Sequence, residues 1–209
     1  MKNTKFFPLM IFLIVLLSVS LACASFGGQT EAPPVEVEPP IAAPVEVPQE
    51  NPSPEPPVVA GPEIRQWAVS ATASSEYGSV DWSAAQATGA PDTPECGDWV
   101  TAWASSPSDS IEQIELSFAT PVVPTQINIH ESYNPNQVTM VEVKDLSGRY
   151  VQIFATVPVQ KADCPFVLTV NIPNVDFLVN AVRITINQSQ LGVGWNEIDA
   201  VELVGFGAP

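Results

Sequence analysis

From Ile114 onward apolar and polar residues alternate with a period of two, and helical spacing is nearly absent. Ile114, Leu116 and Phe118 make one such run, Ile127 and Ile129 a second, Val141 and Val143 a third. Val151, Ile153, Ala155 and Val157 follow, then Phe166, Leu168, Val170 and Ile172, then Val182, Ile184 and Ile186, and Val201 with Leu203 closes the series. Neighbouring side chains on a strand point to opposite faces, so each run predicts a strand with one buried face. Turn chemistry fills the gaps at Thr120-Pro121, Asn134-Pro135, Ser147-Gly148, Ile172-Pro173-Asn174 and Leu191-Gly192. Ser147-Gly148 predicts a tight hairpin, and Ser83 to Ala87 is the one helical hint, in the long loop after the first strand. About eight or nine short strands, each with one apolar face, predict an all-β antiparallel jelly roll or sandwich and not a parallel sheet with crossover helices.

The first 62 residues do not share this pattern. Lys2 and Lys5 precede an uncharged apolar run from Phe6 to Leu17 and then small residues up to Cys23, the order of an export signal. Eleven of the 22 prolines fall between Ala24 and Pro62, with six glutamates and no basic residue. Such a segment has too little clustered apolar surface to offset its ordering entropy, and its prolines and like charges favour extended polyproline II structure. The expected organisation is a signal peptide over 1–23, a disordered Pro/Glu-rich linker over 24–62 reaching at most roughly 120 Å, and one domain over 63–209.

Charge narrows the partners. From Glu63 onward 17 acidic residues face five basic ones, Arg65, Lys144, Arg149, Lys161 and Arg183, a balance of −12. That field repels phosphate-rich polymers, which excludes nucleic acid, and it opposes binding to anionic phospholipid headgroups. Catalytic motifs are missing as well. His130 is the single histidine, and there is no Gly-x-Ser-x-Gly elbow, no His-Glu-x-x-His and no Gly-x-x-x-x-Gly-Lys loop. Glu197 and Asp199, two apart on one strand, are expected on the same face, where they cannot flank a scissile glycosidic bond. A non-catalytic binding module is the expectation.

The run Ser20-Leu21-Ala22-Cys23 resembles the lipobox of bacterial lipoproteins, although Leu21 stands one place late. The resemblance implies diacylation of Cys23 and anchoring on the outer face of the cell membrane. Ala22-Cys23-Ala24 also fits an ordinary secretory cleavage site, and the uncharged stretch from Phe6 to Thr30 is long enough to stay as a membrane span. Lipidation of Cys23 would leave two of three thiols, Cys96 and Cys164, in an oxidising compartment and outside any Cys-x-x-Cys spacing. The expectation is a disulfide between them; the alternative is two reduced, buried cysteines.

The domain resembles the galactose-binding-like jelly roll of discoidin domains, coagulation-factor C-type domains and bacterial carbohydrate-binding modules. The resemblance spans Trp67 to Val204 and is carried by ATASS (Ala71 to Ser75), AAQATGAPDT (Ala84 to Thr93), TAW (Thr101 to Trp103) with Ser105, the strand around Ile127-Asn128-Ile129, and WNEIDAVEL (Trp195 to Leu203). The order GAPDT, CGD, TAW, ESYNP and NEIDAVEL also resembles the scarf-type domain of pappalysins, a relative of the same fold. This chain replaces the common Asp-Gly-Asn turn by Gly89-Ala90-Pro91-Asp92 and adds an insertion from Thr93 to Val100 that carries Cys96. The resemblance implies a structural calcium ion tying the first long loop to the last strand, with Asp92, Thr101 and Glu197 at the matching positions. Calcium takes six to eight hard oxygens, which such carboxylates and loop carbonyls can supply. The other reading of the same residues is a β-turn at Asp92 and a solvated Glu197.

The resemblance further implies ligand binding by loops at one end of the sandwich, where aromatic faces stack on a sugar. The candidates are Tyr77 and Trp82 in the first long loop, Trp99 in the insertion, and His130, Tyr133 and Asn134, with Glu131, in a turn after the third or fourth strand. Trp103 and Trp195 are expected to be structural, since tryptophans in small sandwiches usually pack in or against the core. The function expected is recognition of carbohydrate or glycoconjugate, with a surface protein as the alternative partner.

Overall fold

The structure, a computed structural model, describes residues 61–208. The signal peptide, Cys23 and the linker as far as residue 60 lie outside the described residues. Eight strands follow: β1 (Glu63–Trp67), β2 (Ser70–Ala73), β3 (Ile111–Tyr133), β4 (Val138–Asp145), β5 (Tyr150–Ala155), β6 (Phe166–Asn171), β7 (Val179–Asn187) and β8 (Glu197–Phe206). A 3-10 turn at Ala84–Ala87 is the helical hint made real, although it comes after the second strand and not the first. No helix of the described residues is long and apolar enough to cross a membrane.

All pairings between the strands are antiparallel, and the eight strands make one hydrogen-bonded network, six along one path with β2 and β6 branching from β3, because β3 serves two layers. Its first part lies between β2 and β7, with β4 and β5 beyond β7; its second part lies between β6 and β8, with β1 beyond β8. The alternating residues of both layers, Ile114 and Leu116 with Ile127 and Ile129, Val141 and Val143 with Val201 and Leu203, are buried in one shared core. This is the jelly-roll sandwich that the period-two pattern predicts.

Thr120-Pro121 is not the turn that its composition suggests. The strand runs through it, with a register shift between Ser117 and Val122, as it leaves one layer for the other. Where a ladder is already broken, a proline without an N–H removes no hydrogen bond. β8 passes very close to this crossing: a Cβ on Gly205 would stand 2.4 Å from the Val123 carbonyl oxygen and 3.0 Å from Pro124 Cα. Only glycine fits there. At its C-terminal end β5 stops at Ala155, and Val157, expected as its last inward residue, is exposed.

A second irregularity shapes the functional end. His130 pairs with Ala200 and Glu131 with Ile198, so Asp199 is an extra residue, a β-bulge. The inward side of β8 therefore changes from Ile198 to Val201 across the bulge. Glu197 and Asp199 both flank the inward Ile198, and the extra residue re-aims Asp199, as bulges beside sites commonly do.

The expected disulfide is present. Cys96 and Cys164 are bonded and stand 68 residues apart. The bridge ties the insertion loop to the connection between β5 and β6; in the chain-entropy picture a closed loop of this length stabilises by roughly 4 kcal/mol, an upper figure.

Candidate functional site

Three loops meet at one end of the sandwich: the segment from β2 to the 3-10 turn, the segment 92–105, and the segment that leads into β8. Trp103, in the second, is the buried anchor. It is 0% exposed, exchanges backbone hydrogen bonds with Ile198 (2.8 and 3.1 Å), and donates its indole N–H to the Ser75 carbonyl at 3.1 Å. Backbone and indole of one residue thus fasten all three segments, as expected of a structural tryptophan.

Around it, Tyr77 packs edge-on against Trp82 and against Trp195. Both ring-centroid distances are 5.4 Å, with interplanar angles of 77° and 81°. The rings are thus near-perpendicular walls of a cavity of about 80 Å³, completed by Asp98, Ala104 and Glu197. Each indole is oriented by its N–H: Trp82 Nε1 donates to Asp98 Oδ1 at 2.9 Å, and Trp195 Nε1 to the Ser105 carbonyl at 2.9 Å. Tyr77 remains 55% exposed, so the cavity has an aromatic lip open to solvent. Trp195, expected to be structural, is half-buried, tied by its N–H to Ser105 and packed beside Tyr77; nothing in its sequence neighbourhood announces a partner 118 positions away.

Beneath the aromatics lie carboxyl groups in two pairs. Glu197 is buried, its Oε2 accepts the Trp99 backbone N–H at 3.1 Å, and its carboxyl lies against that of Asp98. Burial pushes it up to about 8; the Trp99 bond opposes this and the Asp98 carboxyl adds to it. Asp199 Oδ1 collects the Thr93 hydroxyl (2.7 Å) and backbone N–H (3.2 Å) and, more distantly, the Asp92 N–H (3.4 Å). Thr93 Oγ1 also meets Thr101 Oγ1 at 2.9 Å. Asp92 is raised above the ordinary carboxylate range by burial and then by the Asp199 charge.

The three residues matched to a calcium site therefore fall at two neighbouring places, Asp92 and Thr101 with Asp199 and Thr93, and Glu197 with Asp98. No group of three or more His, Cys, Asp or Glu converges among the described residues. The donors are all oxygens, the kind calcium selects, and they lie between the loop and the last strand, so the residues at Asp92 and Asp199 fit a hard cation by chemistry. The alternative reading fails: Pro91 to Thr93 forms no turn, the N–H groups of Asp92 and Thr93 go to Asp199, and Glu197 is buried and not solvated.

A family model described as the pappalysin-1 SD scarf domain, C-terminal, matches residues 60–208. The chain belongs to this family. A scarf domain of this kind shares the fold of two solved structures. One is the chitosan-binding module 1 of a chitosanase/glucanase from Paenibacillus sp. IK-5, at 16% identity over 65% of this chain and 93% of that one, TM-score 0.50. The other is an F5/8 type C domain from Bacteroides fragilis, at 14% identity over 68% of this chain and 99% of that one, TM-score 0.50. No curated protein matches the chain.

The remaining candidates of the scarf domain do not join the aromatic cavity. Trp99 packs its ring over Gly97, and its indole N–H has no partner among the described residues. Tyr133 and Asn134 line a separate cleft of about 210 Å³ beside the Cys96–Cys164 bridge, with Pro135 and Val193. The Asn134 amide is committed there, donating to the carbonyls of Val193 (2.9 Å) and Trp195 (3.0 Å), so it holds the loop that presents Trp195. His130, Glu131 and Tyr133 belong to β3 itself and not to a turn. His130 packs edge-on against Trp67 at 5.4 Å, and burial lowers its pKa, partly offset by Asp199 and Glu202. The imidazole is thus a neutral packing group on the outer face of the sheet.

Proposed function

We propose that this protein is a non-catalytic carbohydrate-binding module, exported and held at the cell surface, whose ligand docks at the aromatic end formed by Tyr77, Trp82 and Trp195. The observation that carries the reading is the exposed ring of Tyr77 standing beside two indoles that are fixed by their own hydrogen bonds. A rigid apolar surface of this sort stacks on the C–H face of a sugar ring while neighbouring polar groups take its hydroxyls. The fold it shares with a chitosan-binding module supports the same reading. The disulfide is consistent with export, since such bridges persist in oxidising compartments.

A glycan array probed with the full chain, followed by titration of its tryptophan fluorescence, tests this. Saturable quenching by at least one glycan is expected, with Tyr77→Ala reducing it. Silence across the array would overturn the carbohydrate reading in favour of a protein-contacting surface domain.

We further propose that Asp92 and Asp199, with the Thr101 hydroxyl, are the oxygens this end of the domain offers a calcium ion, which would hold the 89–101 loop on β8.

A further inference from the structure

The cavity behind Tyr77 measures about 80 Å³. Sites that enclose a whole small ligand run to roughly 300–1,000 Å³, so this one receives a single substituent of something larger. Its walls decide which. Both indole N–H groups are spent, on Asp98 and on the Ser105 carbonyl, so neither Trp82 nor Trp195 has a donor to offer. The lining adds two carboxyl groups, Asp98 and Glu197, and contains no Lys or Arg. Apart from the Tyr77 hydroxyl and the proton that Glu197 holds against Asp98, it is rich in acceptors and π surface and poor in donors.

A carboxylate or sulfate entering such a space meets like charge and finds no cation. A hydroxyl or acetamido group needs a donor for its own oxygen and finds little there. An ammonium group needs only acceptors, and it is drawn both by ring faces and by carboxylates. We propose that this cavity is an ammonium pocket, selecting ligands that carry a free amine; on the carbohydrate reading, on which this choice of ligand rests, that means an amino sugar left unacetylated. The near-perpendicular walls of Tyr77, Trp82 and Trp195 form the aromatic box, and Asp98, at the rim, supplies the countercharge.

The test titrates the tryptophan fluorescence of the full chain with a glucosamine tetramer, its fully N-acetylated counterpart, a glucose tetramer and tetramethylammonium. The amine form is expected to bind at least about tenfold tighter than the acetylated one, the order that a partly desolvated cation–π contact supplies. In D98N, where the new amide oxygen still accepts the Trp82 N–H, that ratio is expected to fall towards one. General attraction of a polyamine to a domain of charge −12 would barely change on losing one carboxylate, so collapse of the ratio marks the pocket. Equal binding of amine, acetylated and neutral tetramers would overturn the ammonium pocket and leave the carbohydrate reading standing. Binding of tetramethylammonium with no tetramer bound would sustain the pocket and overturn the sugar as its source. Silence from all four would overturn both.

Discussion

Glu131 is the most demanding residue in the molecule. It is fully buried; its Oε1 accepts the Asn136 N–H (2.9 Å) and the Asn196 amide (2.7 Å), while Oε2 has no partner among the described residues. Gln137 Oε1 and Asn196 Oδ1 are also buried and unpartnered. Neither amide gains by flipping, because each nitrogen already donates to two oxygens: Asn134 and Gly194 for Gln137, Glu131 and Asn134 for Asn196. The surroundings are short of donors, and a proton on Glu131 is one. Burial raises this carboxyl to about 7, against hydrogen bonds that pull the other way. The folded state therefore holds the proton through a pH range in which the unfolded chain, titrating near 4.5, has lost it. Stability is full below the unfolded value, falls as pH rises through the folded one, and levels above it, with a total of up to roughly 3 kcal/mol at stake. Glu197 adds the same sign up to about 8, so the slope persists in part without Glu131. Thermal midpoints of the wild type and Glu131→Gln at pH 5 and pH 8 check this. The variant is expected to gain on the wild type at pH 8, and an equal difference at both pH values would contradict it. The buried position was legible, since Ile127, Ile129 and Glu131 continue one alternation; the ESYNP motif drew it into a supposed turn instead.

At the scale of elements, alternation located the strands from β3 to β8 because burial on one face imposes it, and it failed where tertiary path matters more than local chemistry. The crossing of β3 at Pro121 reads locally as a turn, and its continuity depends on two layers competing for one strand. The bulge at Asp199 is likewise invisible in NEIDAVEL, and so is the grouping of the acidic residues into two pairs, Asp92 with Asp199 and Glu197 with Asp98. Of the candidate site, Tyr77 and Trp82 were legible as loop aromatics, whereas Trp195 and Asp98 come to them only through the fold. The calcium proposal belongs to this scale, because the loop from Gly89 to Thr101 has no strand of its own and is fastened to β8 through Asp199. An ion that binds the folded state alone stabilises it by mass action. The thermal midpoint of the full chain is expected to fall in chelator and rise with added calcium, and Asp92→Asn is expected to blunt that response. A midpoint indifferent to both would remove the ion from the account.

For the whole molecule, charge bears on how it stays at a surface. The 209-residue chain carries −16, with Lys2 and Lys5 its only cations before Arg65. Cleavage before Cys23 would remove both lysines and leave a chain of −18, from six linker glutamates and the −12 of the domain. Such a chain is repelled by anionic headgroups, so electrostatics cannot hold it on a membrane. A single acyl chain gives only marginal attachment, while two give a stable one, which a diacylated Cys23 would supply. We therefore propose a lipid anchor at Cys23. Membrane fractions of cells that express the full chain are expected to contain it, with an N-terminal peptide whose mass corresponds to acylated Cys23 and lacks residues 1–22. High salt is expected not to release it, because no ionic attraction is involved. Cys23→Ser is expected to shift the protein out of the membrane fraction or to leave the leader uncleaved. A membrane-bound wild type that begins at Met1 would assign the anchoring to the apolar leader, and a free chain beginning at an unmodified Ala24 would make it a secreted protein.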